Sequence, residues 1–199
     1  LTEADYEGAS VHGILILKDE FAPGTDMREV LGLDDYIIDF KITANRPDCN
    51  CFLGVAKEIG VVLGTKYTEP VPSYKTVGGD IKDYISIDVQ NYDLCPRYVG
   101  RIVKNLRIKE SPVWMQKALL ASGMRPINNI VDITNYILHA YGQPMHCFDA
   151  DKIKGGKVVV RTYPEGTPFV TLDGEERKLS ERDLMICNAE EPMCIAGVF

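Results

Sequence analysis

The chain has 199 residues, a net charge of −7 at neutral pH, 45% hydrophobic residues and 26% charged ones. That balance fits one folded domain, or one domain with a smaller companion, and excludes a disordered chain. No apolar run approaches the roughly 18 residues of a membrane helix, LTEADYEG carries no leader signal, and the acidic excess argues against a broad nonspecific grip on nucleic acid.

Both ends read as cuts. Leu1 is not a methionine, and Phe199 closes an apolar, strand-like MCIAGVF. Unpaired backbone within a buried strand is costly, so the expectation is an excised piece of a larger protein. Residues 1–30 hold a strand-like VHGILIL and a loop, DEFAPGTDM, expected as the tail of a preceding domain. YIIDFKI then alternates as a strand. In NRPDCNCFLGVAKEIGVVLG, Phe52, Val55, Ala56, Ile59 and Leu63 recur at three and four, which predicts an amphipathic helix capped by Asp48 and stopped by Gly64. The polar, proline-bearing TEPVPSYKTVGGD reads as a linker.

Beyond it, ISIDVQN and YVGRIVKNLRI read as strands. Arg97, Arg101, Lys104, Arg107 and Lys109 crowd the second, as a solvated face or a local basic path. SPVWMQKALLASG predicts a helix with Ser111 as cap, Pro112 in the first turn and Gly123 at the end. A second helix, closed by Gly142, sets Ile130, Ile133, Thr134, Ile137 and Tyr141 on one face, and Asp132, Asn135, Tyr136 and His139 toward the other. KVVVRTY, a FVTLDGEERKL hairpin turning at Asp173-Gly174, DLMICN and MCIAGVF complete a strand-rich end. Strands without regular helical crossovers predict an α+β fold, with mixed sheets and packed helices: a small helix-containing domain, then a larger α+β domain.

Six cysteines without a C-x-x-C pair point to reduced thiols and no metal site. Phosphate-loop, dinucleotide-binding, H-E-x-x-H and G-x-S-x-G signatures are absent. His12 sits in a strand-like stretch and reads as packed or solvent-facing; His139 reads as a surface residue. The densest polar cluster is MRPINNIVDITNYILHAYGQPMHCFD, residues 124–149, with Arg125, Asn128, Asn129, Asp132, Thr134, Asn135 and His146 around one apolar helix. One reading is structural: asparagine caps, a helix end and a turn fixed by Pro144. The other is a pocket in which Arg125 holds an oxygen, Thr134 and Asn135 orient a water or a polar ligand group, and His146 orients a water or accepts a proton. No nucleophile–base–acid trio stands out, so hydrolysis and ligand binding both stay open.

At these residues the sequence resembles the β subunit of bacterial phenylalanyl-tRNA synthetases. TANRPDCNCFLGVAKEIGVVLG and RPINNIVDITNYILHAYGQPMHCFDADKI carry the resemblance. APGTDMREVLGLDD, SPVWMQKALLASGM, TLDGEERKLSERDL and CIAGV follow in the same order. The resemblance implies residues 1–30 at the end of an inserted oligonucleotide-binding barrel, 31–75 as a small α+β domain, and 76–199 as a tRNA-editing domain cut short. It implies an α2β2 enzyme that joins phenylalanine to its tRNA with ATP and Mg2+, neither held by this piece. Its partners would be the tRNA(Phe) acceptor end and the α subunit, with no membrane, in the cytoplasm. The editing domain would hydrolyse tyrosine wrongly esterified to that tRNA. His146, Thr134 and Asn135 would position the water and terminal adenosine; Arg125 would lie near the ester, and Ala196 and Gly197 would form a small-residue wall. Ala44 and Cys147 depart from residues common in the family. The alternative is a non-catalytic module for tRNA binding or subunit assembly.

Overall fold

The computed structural model describes residue 17 and residues 20–197. His12 and all but the last residue of the expected strand VHGILIL lie outside the described residues. Proximity divides the chain into two compact units, Leu1–Val71 with Arg107–Cys147, and Pro72–Leu106 with Phe148–Phe199. The first junction falls within TEPVPSYKTVGGD, the stretch expected to link domains. By proximity, residues 107–147 group with the residues before 72.

The regular elements among the described residues of the first unit are helices. Helix α1 spans Met27–Leu31; the Asp26 carboxylate accepts the Arg28 N–H at its start, and Gly32 ends it at φ 67°. Helix α2 spans Phe52–Leu63 and stops at Gly64 in the left-handed region, as its pattern predicts. Its cap differs from the expectation. The Cys51 sulfur accepts the Gly54 N–H at 3.4 Å, whereas Asp48 sits one step earlier, in a 3-10 turn over Pro47–Cys49. The Arg46 guanidinium draws Asp48 away, with an ion pair of 2.7 Å.

The inward side of α2 also differs from the predicted apolar row. Gly54 and Gly60 are its buried residues, while Phe52 and Leu63 are 63% and 67% exposed. Close backbone approach decides this: a Cβ at Gly54 would lie 1.7 Å from the Asp48 carbonyl oxygen. Only glycine admits such a contact, and the apolar period carries no information about it.

Helices α3 (Val113–Ala121) and α4 (Asn129–Tyr141) also belong to this unit. Trp114 meets Tyr136 edge-on, with ring centroids 5.3 Å apart. Met115 and Leu119 are the buried side chains of α3. Pro112, not Ser111, stands at its N-cap, with no side-chain cap bond. The Ser111 hydroxyl is committed elsewhere, to Asp132.

The second unit holds a four-stranded sheet in the order β1-β2-β5-β6. Strand β1 (Ser86–Val89) runs parallel to β2 (Lys157–Thr162), with Ile87 opposite Val158. Strand β5 (Leu184–Cys187) lies antiparallel to β2, pairing Arg161 with Met185. Strand β6 (Pro192–Ile195) continues antiparallel, with a register shift between Ile186 and Cys187. The hairpin of β3 (Pro168–Val170) and β4 (Glu176–Lys178) turns through Asp173 and Gly174, as expected. Val159, Leu179, Met185 and Cys187 form the core, with Tyr163, Phe169 and Ile195 packed against it. Helices with a mixed sheet make the fold α+β.

Two expected strands do not form. Residues 36–42 have no ladder among the described residues, and Tyr36 and Ile37 are 93% and 75% exposed. Residues 98–108 are likewise without a ladder, interrupted by Asn105 at φ 59°. Alternation makes a segment fit to be a strand, but a ladder needs a neighbour whose backbone groups are free. Among the described residues no helix is long and apolar enough to cross a membrane.

Candidate functional site

Helix α4 and its two flanks carry four of the six residues singled out in the sequence. Its start is built by two neighbouring asparagines with separate tasks. Asn128 caps the helix, its side-chain oxygen accepting the N–H groups of Ile130 and Val131 at 3.0 and 3.1 Å. Asn129 clamps the incoming extended chain. Its side chain accepts the Lys109 N–H at 3.0 Å and donates to the Arg107 carbonyl at 3.1 Å. Its own N–H donates to the Lys109 carbonyl at 2.9 Å. The side chain thus supplies the bonds that a neighbouring strand would otherwise give residues 107–109.

Asp132 is the residue that sequence reasoning misplaced. Set on the polar side by its helical position, it is 0% exposed. Its carboxylate accepts the hydroxyl of Ser111, itself 5% exposed, and the backbone N–H of Ile127 at 2.8 Å. Buried polar groups need partners, and these two tie α4 both to the residue before the α3 N-cap and to the α3–α4 loop. That loop carries Arg125. A carboxylate followed by a solvent-competent helix face looks exposed in sequence; only Ser111, 21 residues earlier, signals a partner.

Thr134 and Asn135 lie midway along α4, both half-buried. The Thr134 hydroxyl donates to the Val131 carbonyl at 2.7 Å, so its proton is used within the helix and its oxygen remains available as an acceptor. Arg125 is exposed in the loop before α4, and His146 is exposed in the loop after Gly142, which ends the helix at φ 70°. A helix of 13 residues is roughly 20 Å long, so Arg125 and His146 enter from opposite ends of it. Ala196 and Gly197 follow β6 in the second unit, with Gly197 at φ 69°.

Around this helix, His139 is half-buried, its Nε2 2.7 Å from the Met124 sulfur, not at the surface. Partial burial pushes the Cys147 thiol up, so it stays protonated near neutral pH and provides no thiolate nucleophile beside His146. All six cysteines are free thiols.

Two other clusters carry chemistry-bearing side chains. The ligand atoms of Asp48, Cys49 and Glu58 lie within 4.8 Å of one another. Arg46 already holds both carboxylates, at 2.7 and 2.6 Å, and its hydrogen bond keeps the Asp48 carboxyl at about 2. A thiol with two arginine-paired carboxylates does not suit Mg2+, which takes near-octahedral oxygen ligands. A shallow cavity of about 500 Å³ lies at the end of α2, lined by Lys57, Gly60, Val61, Gly64, Thr65 and Tyr67. None of the six residues singled out in the sequence lines it.

Comparison with known proteins covers nearly the whole chain. The B3/4 domain family matches residues 94–199. The phenylalanine–tRNA ligase β subunit of Bacteroides thetaiotaomicron is 52% identical over 199 residues, 96% of this chain and 24% of that protein. Those of Bacteroides fragilis and Clostridium acetobutylicum are 51% and 45% identical, over 96% and 94% of this chain and 24% of each relative. The chain therefore spans about a quarter of the length of the curated relatives it matches. With more than half of its residues matched, it belongs to the B3/4 domain family, in a sequence setting shared with phenylalanine–tRNA ligase β subunits.

Proposed function

We propose that this chain is the tRNA-editing portion of a phenylalanine–tRNA ligase β subunit, hydrolysing tyrosine esterified to tRNA(Phe). The observation that carries the reading is the similarity to such subunits across 94–96% of the chain. On this reading residues 1–30 close an inserted barrel, 31–75 form the small domain and 76–199 belong to the editing domain. The need for editing is physical. A pocket shaped for an apolar side chain rejects an added hydroxyl only about 10²-fold, so a second, hydrolytic sieve raises fidelity.

The reaction is ester hydrolysis. A water oxygen bonds to the ester carbonyl carbon, the bond from that carbon to the ribose oxygen breaks, and the ribose oxygen takes up a proton. The products are free tyrosine and uncharged tRNA. His146 orients the water or takes its proton. The acceptor oxygen of Thr134 and the amide of Asn135 align the water and the terminal adenosine. Arg125 donates to an oxygen of the ester or its neighbouring phosphate. The buried Ser111–Asp132–Ile127 bonds support this reading, because they brace the loop of Arg125 against the helix of Thr134 and Asn135.

The whole enzyme, on the same reading, is an α2β2 assembly working in the cytoplasm, with phenylalanine, ATP and Mg2+ handled at the α subunit. Among the described residues one group of three could hold a metal ion, Asp48, Cys49 and Glu58, and Arg46 already pairs with both of its carboxylates. No step here runs through ATP or metal.

The test is deacylation of tyrosyl-tRNA(Phe) by the complete β-containing enzyme. His146→Ala is expected to slow it about a hundredfold while phenylalanine attachment is retained; unchanged deacylation removes His146 from the mechanism. One observation favours a second reading, a non-catalytic assembly module. The exposed face of α2, with Phe52, Val62 and Leu63 between 63% and 79% exposed, is apolar surface of the kind partners cover. That reading expects pocket variants to alter tetramer assembly or tRNA affinity and leave hydrolysis intact.

A further inference from the structure

The exposed cations before α3 are not used by the site around α4. From Leu94 to Lys109 the chain carries five Lys and Arg residues and no Asp or Glu, within a protein of net charge −7. Arg97, Arg101, Lys104, Arg107 and Lys109 are all exposed. Among the described residues none of the five is ion-paired, whereas Arg28, Arg46, Lys152, Lys154, Lys157 and Arg177 all hold carboxylates.

The second unit shows how this charge is displayed. Tyr98, Gly100 and Ile102 are half-buried, and Val99, Arg101 and Val103 are exposed. The close approach of Gly100 to the Ile87 side chain, 2.9 Å from a Cβ placed there, holds the inward side to β1. The outward side then alternates cation and valine through Arg97, Val99, Arg101 and Val103. Extended backbone rises about 3.3 Å per residue, so Arg97 and Arg101 stand roughly 13 Å apart on one side. The Lys104 ammonium lies 3.9 Å over the Tyr84 ring and is bonded to its hydroxyl. An aromatic neighbour fixes that cation without neutralising it, and the Tyr84 ring is itself 47% exposed.

We propose that Arg97, Arg101 and Lys104, with the Tyr84 ring, form a contact edge for single-stranded RNA, the cations meeting successive phosphates. This rests on the editing reading above, in which a tRNA end must be delivered to the hydrolytic residues. Unpaired cations interleaved with apolar surface and an aromatic ring suit a single strand, which presents phosphates and base faces in turn. An acidic peptide or an anionic lipid surface would engage the charges without presenting base faces in step with them.

The experiment is fluorescence anisotropy of the full 199-residue chain with a labelled, uncharged tRNA acceptor-end oligonucleotide, from 50 to 200 mM salt. Each phosphate contact to a single strand contributes about 0.7 to the slope of log affinity against log salt. The combined Arg97→Gln, Arg101→Gln, Lys104→Gln variant is expected to lower that slope by about 2 and to weaken binding at 50 mM salt at least about tenfold. Arg97→Lys with Arg101→Lys should keep the slope, and Tyr84→Ala should weaken binding with the slope nearly unchanged. If the triple variant melts early, each single variant is read instead, with an expected fall of about 0.7. An unchanged slope and affinity in folded variants overturns the proposal. So does equal competition by an acidic peptide or anionic vesicles of matched charge.

Deacylation separates the two readings. No deacylation of tyrosyl-tRNA by the complete enzyme, with the expected slope changes, defeats the hydrolytic reading and leaves RNA binding standing, whereas full deacylation in His146→Ala removes only His146. Deacylation lost in His146→Ala, with unchanged slopes, defeats RNA binding and leaves the hydrolytic reading standing.

Discussion

Among the described residues the largest fully buried side chains of the sheet unit are Val160, Leu179, Met185 and Cys187; those of the helical unit are Leu119 and Asp132. The first set is held by apolar contact, which is nondirectional and roughly proportional to the area removed from water. The second has a carboxylate at its centre, which is tolerable only while its two donors stay in place. A sheet core built by area degrades in proportion to what is removed. A polar centre fails by leaving partners unsatisfied, whatever the size of the change.

The largest effect should come from the apolar side of this contrast. Met185 is 0% exposed, packed with Val159, Leu179 and Cys187. Met185→Ala is expected to cost about 2–5 kcal/mol in urea unfolding followed by circular dichroism. A loss below about 1 kcal/mol would mean that the core collapses onto the space, and that the sheet unit is less tightly packed than its burial indicates.

Asp132→Ala comes next, at about 2–4 kcal/mol, because the Ser111 hydroxyl and Ile127 N–H each lose their acceptor. The contrast sharpens with Asp132→Leu, which has nearly the same volume. If area governed both units, leucine would restore the stability lost in alanine. If partner satisfaction governs this one, leucine should remain destabilising, and the additional Ser111→Ala change should recover part of the loss. Equal stability of wild type and Asp132→Leu would erase the distinction.

The same contrast explains what was legible in the sequence. KVVVRTY, DLMICN and the DG hairpin appear as strands because alternation and turn chemistry are local, and β2, β5, β3 and β4 formed where expected. Asn128 and Gly142 ended α4 as caps do, again by local chemistry. Asp132 was not legible. Its place on the helix suggested solvent, and its burial depends on Ser111, 21 residues away in sequence. The buried side of α2 was missed for a related reason, since Gly54 docks by the absence of a side chain and adds nothing to an apolar period. Of the candidate site, the residue types were legible, as was the helix that carries Thr134 and Asn135. The bracing that sets their surroundings was not, because it is made by a side chain answering backbone and hydroxyl groups elsewhere.

The smallest expected effect lies in an exposed polar network, a third case beside the apolar core and the buried carboxylate. Asp173, in the β3–β4 hairpin, accepts the Thr171 hydroxyl, the Arg177 guanidinium at 2.8 Å and the Glu175 N–H at 3.2 Å. The Thr171 bond first, then Arg177, holds its carboxyl at about 2, below the usual 3.8. The folded state thus binds this proton less readily than the unfolded chain does. Its contribution is complete above the unfolded carboxylate value near ~4 and is lost as pH falls toward 2. Carboxyl NMR titration of Asp173 should therefore show a midpoint near 2, and hairpin signals should shift over the same interval. Water competes for each of these bonds, so Asp173→Asn should alter global stability far less than Asp132→Ala does. A midpoint near ~4 would show that the hairpin does not hold its carboxylate. A large global loss in Asp173→Asn would place the hairpin turn, alongside Asp132, among the polar centres on which folding depends.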